Sequence, residues 1–178
     1  MNKSYVKGSA YIKHKDTFII SFLLFYLYLS GCGTKNKIDF YKETENTDLS
    51  KEAIETVSIG SKEKEVISAF EKPDLTKKSK NTKSTYLIYG NALEFKIVEG
   101  IVERYSFTNR KYQTDKGIYI GSSKEDVIEA YGDSYYETTD TGANIIGYFD
   151  KSNQINIEFS LDSDVIGILV TGINRDIK

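Results

Sequence analysis

The sequence predicts an α+β domain of two tandem repeats, each a short helix followed by about three antiparallel strands, with the helices packed on one face of the sheet. Three observations predict it. "VSIGSKEKEVISAF" (57–70) lies over "IYIGSSKEDVIEAY" (118–131) without a gap, with six identities in fourteen positions. Within both copies the apolar residues fall at helical spacing. After each copy the chain turns to apolar–polar alternation, and "LEF" (93–95) answers "IEF" (157–159).

Ahead of the repeats, four lysines and one aspartate occupy the first sixteen residues, and the apolar run "TFIISFLLFYLYLSG" (17–31) follows. That is the layout of a secretory signal. A helix of fifteen residues reaches roughly 22 Å, short of a hydrocarbon core of roughly 30 Å, so a permanent span is the weaker reading. The run ends in Leu29-Ser30-Gly31-Cys32, which resembles the lipobox of bacterial lipoproteins. That resemblance implies cleavage between Gly31 and Cys32, with Cys32 acylated. It also gives a use to the chain's only cysteine, which can form no internal disulfide. The expected location is extracytoplasmic, anchored to the cell membrane by lipid, and more than one acyl chain makes such an anchor stable.

The segments expected are a signal peptide at 1–31, a lipidated polar tether at 32–54, repeat 1 at 55–115 and repeat 2 at 116–178. From Gly33 to Ser50 the residues are mostly polar and without period, which reads as flexible. As a coil of about eighteen residues it would hold the domain roughly 20 to 25 Å from the membrane.

In each repeat a glycine, Gly60 or Gly121, is expected at positive φ between an extended segment and a helix. Ser61 and Ser122 follow as expected N-caps, with Glu125 completing a capping box in the second copy and Lys64 in its place in the first. Val66, Ile67 and Phe70, like Val127, Ile128 and Tyr131, are expected to form one helix face turned toward the core. Leu93, Phe95 and Ile97 alternate with Glu94 and Lys96 before a hairpin turn at Glu99-Gly100. Ile155, Ile157, Phe159 and Leu161 alternate with Asn156, Glu158 and Ser160 before a turn at Asp162-Ser163-Asp164.

This tandem arrangement, with its glycine, serine and short "xxxVIxxYG" helix, is similar to the lipoprotein family that includes the outer-membrane assembly component SmpA/OmlA. It also resembles the beta-lactamase inhibitor protein fold. The helix motif of such families commonly ends in "GxP"; here Glu71-Lys72-Pro73 and Gly132-Asp133-Ser134 each keep part of it. The resemblance implies a binding module in the cell envelope.

Chemistry is narrowed by what is missing. The sole histidine, His14, leaves with the signal and Cys32 is blocked by lipid, so Ser-His-Asp, Cys-His and histidine–zinc chemistry are excluded from residues 33–178. "SKEK" (61–64) matches the S-x-x-K nucleophile pattern without its companion motifs, and capping accounts for Ser61 better. "DSDVIG" (162–167) starts like a calcium loop but has isoleucines where its fifth and twelfth ligands belong. No metal and no cofactor are expected, and no catalytic residue.

Residues 32–178 carry 20 basic and 25 acidic side chains, a net charge of about −5. On that total, nucleic acid and anionic headgroups are both poor partners. The expected function is therefore a non-catalytic binding module for a protein or envelope component. Ten tyrosines remain after the signal, and adjacent Tyr135 and Tyr136 are the candidate partner-binding residues. The alternatives are a carboxylate-dependent envelope hydrolase, or a structural or assembly subunit of an envelope complex.

Overall fold

The computed structural model describes residues 35–173 apart from Asn91 and Thr141. The signal, Gly31 and Cys32 lie outside the described residues. No helix among the described residues is long and apolar enough to cross a membrane.

The chain enters through helix α1 (Lys37–Glu43), then a two-stranded ribbon of β1 (Ala53–Ile54) and β2 (Val57–Ser58), then helix α2 (Glu63–Phe70). Strands β3 (Leu75–Ser79), β4 (Ser84–Tyr89), β5 (Leu93–Val98) and β6 (Ile101–Phe107) follow. Helix α3 (Lys124–Tyr131) precedes β7 (Tyr136–Asp140), β8 (Ala143–Asp150), β9 (Ile155–Leu161) and β10 (Val165–Gly172). All eight later strands join one antiparallel sheet in the order β3-β4-β5-β6-β10-β9-β8-β7.

The expected architecture is thereby corrected. The domain is mostly β, one eight-stranded sheet with a two-stranded ribbon and three short helices among the described residues, not two units of a helix and three strands. The uncounted strands are the two sheet edges, "LTKKS" and "YETTD". Edge strands avoid apolar alternation because a flat apolar edge invites aggregation, so the signal that marks β5 and β9 is missing from them.

Helices of seven or eight residues are marginal alone and hold their form by packing. Val66 and Val127 are fully buried on the inner face of the sheet. Phe70 packs 5.2 Å from Phe95, and Tyr131 lies 5.3 Å from Tyr148 and 5.2 Å from Phe159. Leu87, Phe95, Tyr105, Phe107, Ile168, Phe159 and Ile146 complete this core. Each such apolar side chain contributes about 1.5 to 3 kcal/mol on burial.

The glycine expectation holds: Gly60 and Gly121 have φ of 90° and 100°. Their N–H groups bond to the carbonyls of Val102 and Val165, at the starts of β6 and β10. The caps are shifted by one residue. Ser123, not Ser122, caps α3, its Oγ accepting from Asp126 N at 3.1 Å while Asp126 Oδ2 accepts from Ser123 N. Lys62 stands at the cap of α2 with no side-chain bond to the helix. Ser61 and Ser122 instead close the preceding turns, accepting from Ser58 N and Tyr119 N at 3.1 and 3.2 Å. Both hydroxyls satisfy a loop donor rather than a helix donor.

The polar stretch expected as a tether is, from Asn36 onward, part of the described fold. Asn36 caps α1 with a complete capping box. After α1 the chain follows the edge of β8: Thr47 N bonds to the Phe149 carbonyl, and Asn46 forms a parallel bridge with Phe149. Thr44, Thr47, Leu49 and Glu52 are buried. Periodicity failed here because single residues, not a face, are inserted into the domain.

Candidate functional site

Alternation along the strands gives the sheet a second face, opposite α2 and α3. The strand registers place Leu75, Ile88, Glu94, Ser106, Leu169, Glu158, Gly147 and Tyr136 in one continuous row across all eight strands on that face. A second row runs Lys77, Tyr86, Lys96, Arg104, Thr171, Asn156 and Phe149.

Helix α1 covers one end of these rows. Phe40 stacks on Tyr136 at 4.9 Å, and Tyr136 stacks on Phe149 at 4.9 Å. Tyr41 meets Phe149 edge-on at 5.3 Å. The Tyr136 hydroxyl donates to Glu158 Oε1 at 2.5 Å and accepts from Asn156 Nδ2 at 3.0 Å, and Lys37 Nζ donates to the same Glu158 oxygen at 2.9 Å. Burial first, and then the Glu158 charge, push the Tyr136 hydroxyl far above the tyrosine range. The first lysine of α1 is thereby tied to the middle of the sheet.

The candidate residues Tyr135 and Tyr136 are not an exposed pair. Tyr136 is 4% exposed and belongs to this small second core. Tyr135 is half-buried against Tyr148, with Lys124 Nζ 5.5 Å from its ring. The polar sequence around Tyr136 is that of an edge strand, whose alternate residues still point inward, and this hid the burial.

Over β3 to β6 the same face has no helix on it among the described residues. It offers Lys77, Tyr86, Ile88, Lys96 and Arg104, with Leu75 46% and Ile101 38% exposed. Arg104 Nη2 pairs with Glu94 at 2.9 Å and Lys96 with Glu103 at 2.5 Å, while the Arg104 guanidinium lies 6.0 Å from the Tyr86 ring centre. A shallow groove of about 530 Å³, lined in part by Leu75, Lys77, Ile88, Glu94, Ser106 and Thr108, runs along it. Sequence reasoning missed this surface because its residues come from four strands and meet only through their register.

A buried polar cluster lies on the opposite face. Glu52, 3% exposed, accepts from the Tyr131 hydroxyl at 2.8 Å and from Asp115 N at 3.2 Å. Burial raises its carboxyl above the ordinary value of 4.5, against the lowering effect of the Tyr131 bond. Tyr105, buried beside it, is held well above the tyrosine range by burial and then by the charges of Glu52 and Asp115. Asp48, Glu52 and Asp115, with Lys51 and Lys116, line a cavity of about 210 Å³. Among the described residues no group of three His, Cys, Asp or Glu is placed to hold a metal ion.

No family model and no curated protein matches the sequence. Among solved structures the chain is similar to an extracellular protein containing an SCP domain from Bacillus anthracis, at a TM-score of 0.50 and 13% identity, over 78% of this chain and 50% of that one. A cysteine-rich secretory protein from Staphylococcus aureus follows at a TM-score of 0.47 and 10% identity, over 64% and 42% of the two chains. A protein provisionally assigned as a beta-lactamase inhibitor protein from Streptococcus mutans has a TM-score of 0.28 and 15% identity, over 80% and 100%. The expected inhibitor resemblance has that one weakly superposing structure beside it here, and no family model supports the SmpA/OmlA one. The chain spans half the length of the Bacillus protein, and what it shares with it is a fold.

Proposed function

We propose that the chain is an extracytoplasmic lipoprotein, anchored through Cys32, that serves as a non-catalytic binding module for a protein or envelope component. Its binding surface is the β3–β6 half of the sheet face that also carries α1. The observation behind this reading is the division of that face: α1 fills one end of two continuous side-chain rows, and an aromatic and cationic remainder stays open among the described residues. The signal layout and lipobox support the location, and similarity of fold to an extracellular protein agrees with it. The test is a photo-crosslinking residue placed at position 86 or 96 in intact cells, with exposed Glu129 on α3 as the control position. Adducts concentrated at 86 and 96 are expected. Adducts at 129 alone would overturn the assignment of the surface.

A second reading has one observation in its favour, the cavity lined by Asp48, Glu52 and Asp115. Paired carboxylates of unlike pKa are the apparatus of glycoside hydrolysis. Against it, the cavity is smaller than the roughly 300 Å³ at which small-molecule sites begin. Glu52 is also committed to Tyr131 and the Asp115 N–H. Glycan hydrolysis by the purified protein, abolished in Glu52→Gln, would establish this reading in place of the first.

A further inference from the structure

The occupant of the open face follows from chain length and from where the lysines lie, and this step rests on the lipid-anchor reading above. We propose that the β3–β6 half of that face, with the β3–β4 hairpin, lies against the anionic phospholipid headgroups of the membrane that holds the Cys32 lipid.

Chain length sets the first constraint. The fold begins at the α1 cap, Asn36, so three residues, 33–35, separate it from Cys32. At 3.3 to 3.6 Å per residue those four steps span at most roughly 14 Å, in place of the long tether read from the sequence. Lys37, next to that cap, is paired to Glu158. Glu158 belongs to the row that continues through Leu169, Ser106 and Glu94 to Ile88. Four strand spacings, about 19 Å, separate Glu158 from Ile88. A lipid on Cys32 therefore brings the bilayer surface to the scale of this face.

Charge gives the second. No acidic residue lies between Asp74 and Glu94, and this stretch holds Lys77, Lys78, Lys80 and Lys83, all exposed. The hairpin thus carries four positive charges in a chain whose residues 32–178 are net negative. Lys96 and Arg104 are each neutralised by a glutamate, so the hairpin lysines supply the excess. Edge protection explains Lys77 and Lys78 on β3 but not Lys80 and Lys83 in the turn. Tyr86 and Ile88, neighbours on the same face of β4 beside Lys77, match the headgroup layer, where amphipathic side chains settle. A second copy would set these lysines against one another.

The mature protein, extracted from membranes and placed in vesicles of phosphatidylcholine and phosphatidylglycerol in equal parts, is treated with a lysine-acetylating reagent. Lys77 on the open face and Lys80 and Lys83 in the turn are expected to react about five-fold more slowly than Lys64 on α2, the weight of one lysine at an anionic surface. The difference should vanish in phosphatidylcholine alone, and at the remaining Lys83 in the variant carrying Lys77→Glu and Lys80→Glu, whose sites are exposed. Equal rates in anionic vesicles, with an acylated N-terminal peptide seen by mass spectrometry, would overturn the docking and leave the anchor standing. Protection that persists in detergent, or grows with protein-to-lipid ratio, would assign the face to the chain's own N-terminal residues or to a second copy instead. An N-terminal peptide without lipid would overturn the anchor and this inference together.

Discussion

The ring of Tyr136 lies across Gly147 on the neighbouring strand, so close that a Cβ at Gly147 would overlap it. That contact admits the tyrosine beneath Phe40 and so seats α1. Gly147→Ala is expected to lower stability by about 1 to 3 kcal/mol through overpacking. Urea unfolding measures the loss, and amide exchange at Phe40 and Tyr41 should quicken before exchange in β9. Unchanged exchange in α1 would show that the ring has room to move aside.

Glu52 gives a pH dependence of definite sign. Its carboxyl is raised in the folded state, chiefly by burial, so the fold holds that proton more tightly than the unfolded chain does. Below pH 4.5 the group is protonated in both states and its contribution is fully present; as pH rises through the folded value the contribution is lost. Stability of Glu52→Gln should therefore change less between pH 4.5 and neutrality than that of the parent chain. Parallel pH profiles in urea would contradict this.

Asp150 works in the opposite direction. Burial alone would raise it, but bonds from the Asn153 side chain and backbone and from the Leu49 and Ser152 N–H groups together hold it below 3.8. Its contribution is present above that value and is lost on acidification. Leu49 N meets Asp150 Oδ2 at 2.9 Å in a buried setting. Asp150→Asn should cost about 1 to 3 kcal/mol at neutral pH, and less at an acidic pH below the ordinary carboxylate value of 3.8. Thermal unfolding at the two pH values separates these outcomes.

The helix cap offers a direct contrast with the sequence. Ser123→Ala removes the bond to Asp126 N and should cost about 1 kcal/mol, whereas Glu125→Ala, the capping-box residue expected from the motif, should cost only a few tenths. Denaturant midpoints of the two variants decide the matter. Equal losses would return the cap to Ser122.

What could be read from the chain divides along physical lines. The positive-φ glycines, the alternation of β5 and β9 and the turns at Glu99-Gly100 and Asp162-Ser163-Asp164 all report local requirements, and all are found. The edge strands β3 and β7 were hidden because edges suppress the pattern that identifies a strand. Tyr136 was misplaced for a related reason: its neighbours Glu137, Thr138 and Thr139 are polar, while its partner Phe149 lies on the next strand and Phe40 far off in sequence.

The docking of α1 also fixes an order of assembly. Its partners Tyr136, Phe149, Glu158 and Ile173 stand about a hundred residues or more downstream, and the Lys37–Glu158 bond spans 121 positions. A chain emerging from its N-terminus makes α1 first yet cannot seat it until β7 to β10 have paired. Ile173, whose N–H bonds to the Gln154 carbonyl, joins the cluster beside Phe40 and Tyr41. The start of the domain therefore waits for its end, and truncation at the C-terminus should be felt first in the segment synthesised earliest.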